Sequence, residues 1–231
     1  MKVRWGASVT SMALLACVGV DEEGFREVLA VEVAGTEKGA AYASLLRDLI
    51  DRGLHGVRLV VSDDNEGIKA AVFGELPGVE WQRCAVHFER NVLSQVPASS
   101  MAEVAEDLKA IFKVRREKTA RALAEEFVEL YGKRFPKAVS VFEAGIGDVL
   151  TYLHYPGSHH AKLRSTNMLE RLFREVKRRT RVVGVFPNEL SASTLATEIA
   201  LRSSEQWALK RYLTMDAAQA AENPNPQHSR H

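Results

Sequence analysis

"VRLVVSDDNEG", Val57–Gly67, is the stretch on which the fold turns. Its first six residues form a short, nearly continuous apolar run. A run of that length, broken at once by polar and glycine residues, predicts a strand apolar on both faces, buried in the middle of a sheet. Asp63 then stands at the carboxyl end of the strand, where open α/β sheets place their ligands.

Working outward, residues 8–20 and 27–34 are β-rich runs joined by "DEEG", a hairpin loop. Met1–Arg4 reads as the stub of another strand. Residues 37–52 carry helical spacing, with Ala41, Leu45, Leu46, Leu49 and Ile50 on one face and Gly53 as the stop. A helix over about 66–73 and a small strand at 79–83 follow. From His87 to about Val149 the pattern becomes helical throughout: 87–95, 101–113, 116–131 and 135–149. "YPGSHH", 155–160, reads as a loop, followed by helices over 166–180 and about 189–213. The fold class is therefore α/β: a mixed sheet with flanking helices, interrupted by an all-helical insertion. The expected divisions are 1–86 for the first part of the core, 87–158 for the insertion, 159–215 for core completion, and 216–231 for a disordered polar tail.

Composition sets outer limits. The chain has 231 residues, 46% hydrophobic, a net charge of +1 and two cysteines. The core can be substantial, and total charge names no partner. Two cysteines, Cys17 and Cys84, make no disulfide framework, which fits a reducing, cytoplasmic setting. No apolar run reaches the roughly 18 residues of a membrane span. Lys2 and Arg4 before "MALLACVGV" superficially resemble a signal peptide, but the acids that follow favour a hairpin.

The bases concentrate in residues 162–181. At about 100° per residue, Leu169, Leu172, Phe173 and Val176 form a core-facing stripe. Glu170, Arg174, Lys177 and Arg181 form a second stripe beside it. One carboxylate in a row of cations suggests a salt bridge, a cap, or a metal ligand beside a polyanion. If Asp63 and Glu170 meet, their hard oxygens suit Mg²⁺ or Mn²⁺ in phosphodiester chemistry, with the neighbouring bases holding phosphates. The plainer alternatives are the start of the turn for Asp63, with Ser62, Asp64 and Asn65 as competing caps, and the far half of a capping box from Asn167 for Glu170. Cys84 and His87 have a Cys-x2-His spacing. They read either as two of four zinc ligands, with His154, His159 and His160 as the remaining candidates, or as a small buried thiol and a histidine fixing the start of the insertion. Trp81 reads as a core anchor, and Trp207, Leu209 and Leu213 as packing of the last helix.

Four ordered motifs, "KVR", "LVVSDDNEGIKAA", "WQRCAVHFERNVL" and "YPGSHHAKLRSTNMLERLFREVKRRTRVVGVFPN", together resemble the Mutator-type transposases of bacterial insertion sequences. These are DDE transposases on a ribonuclease-H-like fold. The resemblance implies that Asp63 is the second catalytic aspartate, Glu170 the catalytic glutamate, and Lys177 the lysine that follows it. It implies Mg²⁺ or Mn²⁺ as cofactor, and DNA contacts from Arg164, Asn167, Arg174, Lys177, Arg178 and Arg181. Cys84 and His87 match the family's Cys-x2-His pair. Arg164, Thr166 and Asn167 match the loop before the last catalytic helix. Its partners would be transposon ends and target DNA, a second copy, or an intact transposase, in a nucleoid-associated setting without a membrane.

Departures are also visible. The family's first aspartate is expected a few residues before "KVR", and the domain that binds transposon ends upstream of it. Asp21, at the hairpin loop, is a poor substitute. Asp64, Asn65, Ser158, His160 and Phe173 stand where a small residue, His, Glu, Trp and Asn are expected. The expectation is a truncated transposase catalytic domain. The alternative is a catalytically dead DNA-binding or dimerising regulator.

Overall fold

The structure, a computed structural model, describes residues 1–35 and 39–215. The start of the expected helix at 37 and the expected tail at 216–231 lie outside these residues. The strands are β1 Lys2–Trp5, β2 Ser8–Ser11, β3 Ala13–Val20, β4 Arg26–Ala34, β5 Leu59–Ser62 and β6 Glu80–Arg83. The helices are α1 Gly39–Asp51, α2 Glu66–Glu75, α3 Ala85–Leu93, α4 Met101–Lys113, α5 Glu117–Tyr131, α6 Pro136–Val149, α7 His160–Leu163, α8 Asn167–Thr180 and α9 Glu189–Ala208. The chain is thus a mixed α/β protein.

The run 8–20 makes two strands, divided at Met12. β2 pairs back on β1, and β3 pairs antiparallel with β4. "DEEG" is the hairpin loop between them. Asp21 Oδ1 accepts from the Glu23 and Phe25 amides at 3.0 and 2.8 Å, so this carboxylate is engaged at the tip. Gly24 has φ +86°, and a Cβ there would collide with the Leu213 carbonyl. The Gly24 carbonyl in turn accepts from the Tyr212 and Leu213 amides. The last described residues are thereby tied to the hairpin tip.

Alternation decides how the hairpin is covered. Leu14, Ala16 and Val18 face one way and pack with Leu172 and Val176 of α8 and Ala192, Ala196 and Ile199 of α9. Leu15 and Cys17 face the other way and pack with Leu45, Leu46 and Leu49 of α1. A bulge at Cys17/Val18 leaves Leu29 without an opposite residue. Leu29 and Ala30 consequently join the same side, as a bulge's extra residue permits. Burial raises the Cys17 thiol to about 11. The Val28 amide donates to Ser204 Oγ, 176 positions later, pinning α9 across the hairpin.

β5 corrects one expectation. It pairs in parallel with β6 alone among the described residues, and Leu59, Val60 and Val61 are half-buried rather than central. The described strands form three two-stranded sheets, with one further parallel bridge, Val3 to Phe186. An apolar run records what covers a strand's faces but is silent on what pairs with its edges. Ile50 and Leu209, expected in the core, are exposed, whereas Trp81 and Leu213 are buried and half-buried Trp207 packs against the core with the Arg26 guanidinium over its ring.

Residues 85–154 contain no strand among those described. α3 through α6 close on their own core of Phe88, Val92, Leu108, Ile111, Phe127, Tyr131, Phe142 and Tyr152. Burial raises the pKa of the Tyr131 phenol, and its hydrogen bond adds to this, Oη donating to Asp107 at 2.6 Å. Gln82, fully buried at the end of β6, stitches this unit to the sheet. Its Nε2 donates to the carbonyls of Val149 and Arg83, and its Oε1 accepts from the Tyr152 amide.

"YPGSHH" turns into α7. His160 is buried, edge-on to Tyr152 at 5.1 Å, with Nε2 on the Tyr155 carbonyl at 2.7 Å. Burial lowers its pKa, outweighing that carbonyl. The folded chain therefore keeps this ring neutral, and the unfolded chain takes a proton first as pH falls. We expect stability to be fully present above about pH 6.5 and to decline below it. Urea midpoints of the parent and of His160→Gln, measured from about pH 7.5 to about pH 5.5, check this. A parent slope that the variant leaves intact would assign the acid loss to another group.

Candidate catalytic and DNA-contact site

Three chain segments meet at Cys84. β5 ends at Ser62, whose carbonyl accepts from the Cys84 amide at 2.7 Å. Ser62 Oγ accepts from Trp81 Nε1 at 2.9 Å and donates to the Asp63 carbonyl. Cys84 Sγ accepts from the amide and hydroxyl of Thr166 at 3.4 and 3.3 Å. The Ala85 amide donates to the Arg164 carbonyl at 2.8 Å. Thr166 is the cap residue of α8, and its carbonyl accepts from the Glu170 amide. The buried thiol thus fastens the end of the parallel strands to the start of the basic helix. Asp63 and Glu170 each lie within one turn of that junction.

Asp63 is exposed, and capping of α2 falls to Asn65, whose Oδ1 accepts from the Ile68 amide. Asp63 directly follows β5 and begins the turn, with Asn65, one of the competing caps, closing it, and Asn65 has work of its own where the resemblance expects a histidine. Asp64 pairs with Arg83 at 2.9 Å. Buried Arg83 lies 5.0 Å from the Phe88 ring, and a Cβ on Gly145 would meet its guanidinium. Sequence periodicity carries no sign of this buried arginine or of Gln82, because a polar residue at a strand end looks like a loop residue.

Glu170 makes no capping box, since Thr166 rather than Asn167 is the cap. Nor does it pair with Arg174. Its Oε1 is buried, without a hydrogen-bond partner among the described residues, and lies 3.8 Å from His87 Nε2. His87 Nδ1 is equally unpartnered. Glu175 is the acid that neutralises cations on this helix: Arg178 and Arg179 bond to it at 2.6–2.9 Å and hold it at about 2. Arg174, Lys177 and Arg181 remain exposed, without an ion pair among the described residues. Asn167 is exposed at the start of α8. Arg164 is half-buried, with Nη1 on the Phe112 carbonyl at 2.9 Å, so part of its guanidinium serves the helical unit.

The zinc reading fails among the described residues, where no three His, Cys, Asp or Glu side chains gather as a metal-binding group. Cys84 holds Thr166, His159 bonds to the Thr214 carbonyl, His160 to that of Tyr155, and His154 to Glu80. For Mg²⁺ or Mn²⁺ the chemistry of Asp63 and Glu170 fits, because both offer hard oxygens and one of Glu170's is unpartnered. Among the described residues these two donors stand without a third.

No helix among the described residues is long and apolar enough to cross a membrane. Comparison with known proteins finds the family described as Transposase, Mutator family, matching residues 1–210. The transposase for insertion sequence element ISRM5 of Rhizobium meliloti is 41% identical over 93% of this chain and 54% of its own length. That for IS406 of Burkholderia multivorans is 36% identical over 89% and 53%. That for IS256 in transposon Tn4001 of Staphylococcus aureus is 30% identical over 94% and 56%. The chain spans about half the length of these curated relatives. With a family match over nearly all of its described length, the chain belongs to the Mutator family of transposases.

Proposed function

We propose that this chain is catalytic-domain material of an insertion-sequence transposase, built on a ribonuclease-H-like plan, that acts in cutting and joining DNA strands. The observation that carries this reading is the junction at Cys84. It joins the end of β5, one residue before Asp63, to the cap of α8, and Glu170 follows one turn into that basic helix with an unpartnered carboxylate oxygen. Asp63 and Glu170 would hold a divalent cation, which supplies activation of an attacking oxygen and stabilisation of a leaving one. Arg174, Lys177 and Arg181 hold backbone phosphates, and Asn167 and Arg178 lie alongside them. Because Glu175 already binds Arg178 and Arg179, the three unpaired cations carry most of the contact.

The donor shortfall favours a second reading for the chain taken alone: a DNA-binding or dimerising partner of an intact transposase, without catalysis of its own. Both readings share the DNA surface. Duplex binding should be salt-sensitive and indifferent to sequence. The double variant Arg174→Ala/Lys177→Ala should weaken it and reduce the slope of log K against log salt by about 1.8, two contacts at about 0.9 each. Fluorescence anisotropy across a salt series checks this. An unchanged slope, or sequence-specific binding by the parent at about 0.2 M salt, would count against the assignment.

A further inference from the structure

α8 runs straight into a knuckle that buries nothing. A 3-10 turn at Arg181–Val183 is followed by Gly184, whose φ of 72° and ψ of −75° let the Val185 amide bond to the Val183 carbonyl at 2.9 Å. That is a classic γ-turn, open to glycine and nearly closed to other residues. Val182, Val183 and Val185 are 86%, 41% and 38% exposed. The next residue, Phe186, is buried and locked to β1: its amide donates to the Lys2 carbonyl and its carbonyl accepts from the Arg4 amide, both at 2.9 Å. Three apolar side chains are therefore held outward on a turn anchored from both sides.

The surroundings identify the partner. Arg178, Arg179 and Arg181 precede the knuckle, and exposed Lys2 and Arg4 lie on the strand that anchors it. Of the nearest acids in sequence, Glu175 is already bonded to two arginines, and Glu189 opens α9. A second copy docking through the same patch would bring these cations against themselves. A polyanion relieves that repulsion, and a nucleic acid groove also offers sugar and base edges to an apolar tip. Resting on the DNA-binding reading above, we propose that Val182, Val183 and Val185 form an apolar groove contact on duplex DNA, seated between phosphates held by the flanking arginines.

Charge and apolar contact separate cleanly in a salt series. Serine at all three valines (V182S/V183S/V185S) removes no cation and, at exposed sites, leaves the fold intact, which circular dichroism verifies. Anisotropy with a labelled duplex of about 30 base pairs should show affinity reduced about tenfold at every salt concentration, with the slope unchanged. Arg181→Ala should instead lower the slope by about 0.9. Equal affinity for the parent and the serine variant overturns the proposal. So does a change in sedimenting mass with DNA affinity intact, which would make the knuckle a protein interface. A parent that fails to bind DNA at low salt sinks the DNA reading itself, a result distinct from loss in the valine variant alone.

Discussion

Strand-transfer products should be undetectable when this 231-residue chain alone is given Mg²⁺ and a labelled duplex. Among the described residues the proposed site offers two carboxylates, Asp63 and Glu170, and no metal-binding group of three assembles. Two acids grip a divalent cation loosely, and loosely held Mg²⁺ keeps its waters. Most of the catalysis in such a site is positioning, so misplacement by about 1 Å can cost about a hundredfold or more. Extending the chain at its N-terminus with an aspartate-bearing strand should restore nicking dependent on Mg²⁺ or Mn²⁺. The added strand has somewhere to pair, because β5 bonds only to β6 and β3 only to β4 among the described residues. Glu170→Gln should then abolish the restored activity. Nicking by the unextended chain that stops with Asp63→Asn would mean that another residue supplies the third ligand.

The largest expected effect on stability lies at Gln82. Its replacement by alanine leaves the Tyr152 amide and the Val149 carbonyl buried without their partner. Each orphaned group costs about 1–3 kcal/mol, and the vacated volume adds to that. A loss of about 3–5 kcal/mol is expected, read as a lower urea midpoint at unchanged m. Gln82→Met fills most of the volume and should recover only the packing part. A shift under about 1 kcal/mol for the alanine variant would mean that water replaces the amide.

The helices were largely legible because their apolar spacing persists and their ends carry recognisable residues. Gly53 follows α1, Asn65 caps α2 and Asn188 caps α9. Edges were not legible. "LVVS" has the same letters whether its strand is central or paired on one side. Polar side chains that bond across the fold were equally hidden: Gln82 reaches Val149 and Tyr152, and Arg83 reaches Asp64. Glu170 shows the limit of local rules. Arg174 sits four residues on, the spacing of a helical ion pair, yet the carboxylate turns toward His87 on α3. Glu175, with Arg178 and Arg179 at three and four, follows the rule. The candidate residues were therefore named through resemblance, while the junction at Cys84 required the fold.

The bond from the Val28 amide to Ser204 Oγ also sets an order of assembly. The helical unit draws its core from residues 85–152, so it can close soon after it is made. The hairpin of β3 and β4 precedes the helical unit in chain order but cannot cover one apolar face until α9 arrives. At about 5–20 residues per second, that is roughly 10–35 s of exposure. The hairpin therefore stays open on that face while the residues between β4 and α9 are made. The basic helix and the last helix share that face, Leu172 and Val176 packing in one core with Ala192, Ala196 and Ile199.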